Sequence, residues 1–184
     1  MGTKETTLIY RLSVSPSHVD MHWGFIPNEL WTTILKEWAR QYVDGIGFEG
    51  YKTKAQLTQI SRFAKWQPDI QFHCCIRSKL VTQIKTEVLQ PQEMAVFSYS
   101  EKVREVIEAI EFNDWDVTYD ENPVDSLYFF KGERLIMDIL PYESEIMVYV
   151  TDSERDALIQ LDDRIRQNLF RKSDLIVSVD IVSR

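Results

Sequence analysis

A chain of 184 residues, 44% hydrophobic and 27% charged, is long enough to bury a continuous core without disulfides or a structural metal, and too balanced for a disordered or fibrous protein. Its net charge of −8 is uneven, with 11 Lys/Arg and 9 Asp/Glu in residues 1–100 against 10 and 20 in residues 101–184, and so anionic a surface disfavours nucleic acid and anionic lipid as partners. No apolar run reaches the roughly 18–20 residues of a membrane span, no signal-peptide core opens the chain, and the adjacent Cys74 and Cys75 suit a reducing compartment, so one cytoplasmic domain over residues 1–184 is expected.

Leu8, Tyr10, Leu12 and Val14 alternate with Ile9, Arg11 and Ser13, which predicts an opening strand. Asn28 can cap a helix to about Val43, with Leu30, Ile34, Trp38 and Tyr42 on one face. A glycine-bearing loop from Asp44 to Lys52 follows. Thr53 and Gln56 form a capping box for a helix carrying Leu57, Ile60, Phe63 and Ala64. Ile70, Phe72, Cys74 and Ile76 read as a strand, and Ser78 as the cap of a short helix with Val81, Ile84 and Val88. Met94 to Phe97 fits a strand or a loop, and Ser98 with Glu101 boxes a helix using Val103, Val106, Ile107 and Ile110.

Beyond that helix the period becomes twofold. Four strands are predicted around Trp115–Tyr119, Leu127–Phe129, Leu135–Ile139 and Ile146–Val150, with connections short enough for an antiparallel meander. Thr151 and Glu154 box a helix with Leu158, Leu161, Ile165 and Leu169 on one face, and Leu175 to Val182 makes a last strand. The expected class is α+β: an antiparallel or mixed sheet containing a meander in the C-terminal half, with helices mainly on one face.

Three constellations bear on chemistry. In an extended chain His18, Asp20 and His22 would share a face, a set able to hold Zn²⁺ or Fe²⁺ with open positions, with His73 as a candidate fourth ligand and Trp23 and Phe25 as pocket walls. Gly45-Ile46-Gly47-Phe48-Glu49-Gly50 satisfies GxGxxG, but it follows an amphipathic helix rather than a buried strand, and Glu49 would oppose a phosphate, so a turn and a mobile loop are expected instead. Asp114 to Asp125 falls on calcium-loop spacing, but Tyr119 stands where a glycine is needed.

Between Arg104 and Lys131 the chain holds eight acids and no Lys or Arg. The plain reading is a solvated face. The functional reading is a docking surface for a basic protein, made by Asp114, Trp115, Asp116, Asp120, Glu121 and Asp125, with Trp115, Tyr119 and Tyr128 as anchors. The leading expectation is therefore an acidic interaction module of the kind that toxin-neutralising immunity proteins represent, by analogy of size and charge alone. It needs no cofactor. The alternative is a metal-dependent enzyme or small-molecule-binding protein built on His18, Asp20 and His22, and a third possibility is a homo-oligomerisation module.

Overall fold

The computed structural model describes residues 7–14, 26–60, 63–115, 124, 126–172 and 174–182. The expected metal cluster His18, Asp20 and His22, the neighbouring Trp23 and Phe25, and the docking residues Asp116, Asp120, Glu121 and Asp125 lie outside these.

Helix and strand follow the apolar spacing over most of the chain. Strand β1 (Leu8–Leu12) leads to a helical rod of three segments, α1 (Asn28–Thr33), a π-helical stretch Ile34–Ala39 and α2 (Arg40–Tyr42). Its buried residues come in pairs every four positions, Leu30/Trp31, Ile34/Leu35 and Trp38/Ala39. Such pairs would drift around a helix of about 3.6 residues per turn, and the wider i→i+5 turn keeps them facing the core. Pro27 rather than Asn28 is the N-cap, and Asn28 instead accepts the Phe112 amide at 3.0 Å.

The expected glycine loop is strand β2 (Gly45–Phe48), fully buried between two neighbours. Here Ile46 and Phe48 face the main core, while Gly45 and Gly47 give up their side chains to the opposite face. A methyl group on Gly45 would lie 2.8 Å from Val96 Cγ1, and one on Gly47 2.5 Å from the Met94 sulfur. The glycines are there for close approach across the sheet rather than for mobility.

Thr53 and Gln56 do form a capping box, opening a short α3 (Lys54–Leu57). The helix expected after Ser78 is absent, because β3 (Ile70–Val81) runs on through it and turns back into β4 (Thr86–Val88). Residues 92–98 resolve as β5 (Gln92–Ser98), so Ser98 ends a strand, and Ser100 is the N-cap of α4 (Glu101–Glu108). Trp115, expected to begin a strand, closes a 3-10 helix, Phe112–Trp115. The expected meander follows as β6 (Leu127–Lys131), β7 (Arg134–Leu140) and β8 (Glu145–Val150). The predicted last helix is two: α5 (Asp152–Ile159), with the Thr151/Glu154 capping box, and α6 (Asp163–Asn168), capped by the Asp162 side chain. Leu169 already belongs to β9 (Leu169–Arg171), and β10 (Leu175–Ile181) completes the order.

The ten strands among the described residues form one sheet, paired antiparallel throughout, in the order β10-β3-β5-β2-β6-β7-β8-β1-β9 with β4 beside β3. The outermost strands, β9 and β10, are joined by only Lys172 to Asp174. That link spans at most about 14 Å. The Lys172 amide donates to Ile9 O on β1, and Asp174 O accepts from Val81 on β3, so within three residues the chain passes from one margin of the sheet to the other. The sheet is therefore rolled nearly into a barrel.

The roll gives the sheet an outer and an inner face. Outside, Trp31, Trp38, Phe63, Ile107, Leu158 and Ile165 from the helical segments pack with Phe48, Phe97, Phe129 and Val148 in the main core. Inside, Cys74, Ile76, Met94, Val96, Phe130, Leu135, Met147 and Tyr149 make a smaller cluster with no helical member, against which Leu175, Val177 and Val179 of β10 pack. Helices thus cover one face, as expected. Over β3, β4 and β10 no helix among the described residues covers the outer face, and Val88 and Ile176 are exposed.

Candidate functional site

Strand register sets the inner surface row by row, since directly opposed residues project from the same side. Gly47 lies opposite Tyr128, Tyr128 opposite Asp138, and Asp138 opposite Met147. Toward one end of the roll, Leu140 lies opposite Glu145, and the Glu49 amide donates to Ser126 O. These rows surround a cavity of about 620 Å³ whose lining includes Glu49, Ser126, Tyr128, Asp138 and Tyr149, with Leu80 and Leu175 closing it from the far wall. Its size is that of a small-molecule site, and the mouth of a rolled sheet is a common place for one.

Asp138 is the chemically distinctive group. It is only 8% exposed. Burial pushes its carboxyl up to about 7, against the opposing hydrogen bonds of Tyr149 and the backbone, and the charge of Glu49 adds to the rise. The Tyr149 hydroxyl donates to Asp138 Oδ1 at 3.3 Å, a long bond that offsets little of the desolvation. Burial likewise raises the Tyr149 phenol well above its usual range, with Asp138 contributing. Among the described residues no Lys or Arg lies within ion-pair distance of Asp138, whereas Glu145 meets Arg11 at 3.0 Å, and Glu154 meets Arg134 and Lys131. Near neutral pH, Asp138 can either donate or accept a hydrogen bond.

A second cleft of about 690 Å³ opens at the other end of the roll, lined by Ile9, Leu135, Tyr149, Val177 and Val179 with Lys131 and Arg134 at its rim. Tyr149 lines both. The rim cations are engaged, for Lys131 and Arg134 both contact Glu154 and Lys131 lies 5.3 Å from the Tyr42 ring centre. The Asp138 end holds the freer polar chemistry.

The structure distributes the sequence-predicted docking residues differently. Asp114 is exposed, but Trp115 is 1% exposed and its ring stacks on Phe63 at 6.2 Å, so the indole serves the core and not a surface. Tyr128, expected as a surface anchor, faces the cavity. Glu108 of the acidic run meets a cation from elsewhere in the fold, accepting two 2.7 Å bonds from Arg40, and Glu111 accepts from the neutral Asn28 amide. His73 stands on β3 beside Cys74 and lines a small hollow with Lys52 and Glu93. Among the described residues, no three His, Cys, Asp or Glu side chains group as a metal site.

Asp138 was missed by motif reasoning, although the sequence carries its signal. Leu135-Ile136-Met137-Asp138-Ile139-Leu140 is an apolar run with one acid. A strand apolar on both faces is buried on both, so its lone carboxyl had to be buried too.

No family model, no characterised protein and no solved structure matches the chain. Among the described residues no helix is long and apolar enough to cross a membrane.

Proposed function

We propose that this protein binds a small organic molecule inside the rolled sheet, at the end where Asp138, Tyr128 and Tyr149 converge. The observation that carries this reading is a buried carboxyl, with no Lys or Arg counterion among the described residues, on the wall of a cavity of about 620 Å³. A purely structural interior would gain by filling that space with side chains, since empty volume forfeits packing energy. Tyr128, Tyr149, Ser126 and Asp138 offer orientation, and Leu80, Leu140, Met147 and Leu175 offer apolar contact. Docking of a basic protein on Asp114 to Asp125 is the weaker reading, because Trp115 is buried and Arg40 already neutralises part of the adjoining acidic run.

Thermal-shift screening of a metabolite-like library against the whole chain tests the proposal. Ligands at about 100 times Kd should raise Tm by about 5 °C or more. The shift should vanish in Leu140→Trp, which plugs the mouth from a half-buried position, and in Met147→Trp deeper inside. Hits that stabilise the plugged variants as well as the native chain would place binding elsewhere and overturn the reading.

A further inference from the structure

The nature of the ligand can be argued one step beyond its presence, resting on the cavity reading above. A buried carboxyl is ordinarily paired with a cation or forced to keep its proton. Several other buried or half-buried acids are paired with an arginine: Glu154 with Arg134, Glu145 with Arg11, Glu108 with Arg40, and Asp162 with Arg164. Asp138 breaks the pattern, for its only side-chain partner among the described residues is a phenol at 3.3 Å. It also lies on the wall of the cavity of about 620 Å³, directly opposite Tyr128 in the strand register and bonded to Tyr149.

We propose that the cavity takes a primary or secondary organic amine in its protonated form, the ammonium against Asp138 between Tyr128 and Tyr149, with a hydrocarbon or aryl body on Leu80, Met147 and Leu175. The ammonium supplies the counterion the fold withholds, and the ring faces favour a cation over a neutral group. The lining agrees in sign. Glu49, Glu145 and Asp174 line the cavity beside one cation, Lys172, with Glu145 held by Arg11 and Glu49 also engaged, and a lining richer in carboxylates than in cations favours a cation over an anion.

A pH dependence follows from the groups that face Asp138. The charged and titratable groups that line the cavity with Asp138 are Tyr128, Tyr149, Glu49, Glu145, Asp174 and Lys172, and burial raises the Tyr149 phenol well above its usual range. Asp138 itself changes over pH 6–8, since burial has pushed its carboxyl up to about 7. An amine that needs the carboxylate binds better as pH rises, by about tenfold from pH 6 to pH 8.

Phenethylamine, 2-phenylethanol and 3-phenylpropionate share a body and differ in charge, and their binding to the whole chain can be followed by the methyl signals of Met147 and Met94. The amine should bind at least tenfold more tightly than the alcohol, the carboxylate should not bind, and amine affinity should climb tenfold between pH 6 and pH 8. Asp138→Asn should erase both the preference and the slope, and the native pH profile carries the test by itself if that variant does not fold. Equal binding of the alcohol, a preference for the carboxylate, or a flat pH profile would overturn the amine while leaving the cavity a binding site. No response to any of the three, with other library ligands bound and then lost in Leu140→Trp, would also exclude the amine alone. Silence from the probes and the library together would sink both proposals.

Discussion

Asp138 sits among Leu135, Ile136, Met137, Ile139 and Leu140 on a strand buried on both faces, and its proton is governed by that burial. Its folded pKa lies above its unfolded value. Below about pH 4 both states are protonated and nothing is lost; as pH rises toward 7 the unfolded chain releases a proton that the folded protein retains, and stability falls. With the carboxyl pushed up to about 7, the loss between pH 5 and pH 8 should be on the order of 2–3 kcal/mol from this group. Asp138→Asn removes the titration. Urea denaturation at the two pH values should show the variant gaining on the native protein by about that amount, and a gap that does not change with pH would show that Asp138 is not held in its protonated form.

At the scale of elements, capping chemistry was legible and strand length was not. Both capping boxes, Thr53/Gln56 and Thr151/Glu154, form as their spacing predicts, because a cap is satisfied within one turn of chain. Ser78 carried a similar local signal, yet β3 runs through it, since Ser78 stands opposite Val177 of β10, more than ninety residues away, and its carbonyl accepts from the Leu89 amide on the other side. Tertiary pairing overrides a weak cap.

Glu154 shows how an element is tied down. Burial pushes its carboxyl up, but bonds from Arg134 and from the Thr151 amide, with the charge of Lys131, outweigh this and hold it below the usual range. Its carbonyl also accepts the Trp38 indole at 3.0 Å, linking α5 to the helical rod. Glu154→Ala should cost about 3 kcal/mol at pH 7 by leaving Arg134 unpaired and removing half of a cap. Because the folded pKa is depressed, that contribution is present above the ordinary carboxylate range and fades as pH falls. Guanidinium titrations at pH 7 and pH 3.5 should therefore show the difference shrinking; an equal loss at both would assign it to packing alone.

For the molecule as a whole, the decisive feature is the three-residue passage between β9 and β10, which rolls the sheet and lays Leu175, Val177 and Val179 over Leu135, Met147 and Tyr149. Ending the chain at Lys172 would remove that wall. The truncated protein should keep its helix-covered outer core, bind a hydrophobic dye such as ANS several-fold more strongly, and lose ligand-induced stabilisation, because an exposed apolar face of this kind binds dye and associates. A truncated chain that stays dye-silent and still binds ligand would show that β10 does not enclose the cavity.

The sequence by itself determined the α+β class, the meander and most helices, because hydrophobic period and cap spacing are local properties of the chain. It also placed one acid within the apolar run of β7, although only the fold gave that acid a cavity and left it, among the described residues, without a counterion. What tertiary structure alone decided was which strands meet. The glycines of β2 read as a loop until Met94 and Val96 were seen to occupy the space they leave, and the acidic run read as uncompensated until Arg40 reached Glu108 across 68 residues. Close approach and charge compensation between distant segments depend on how the sheet rolls, and no local pattern encodes the roll.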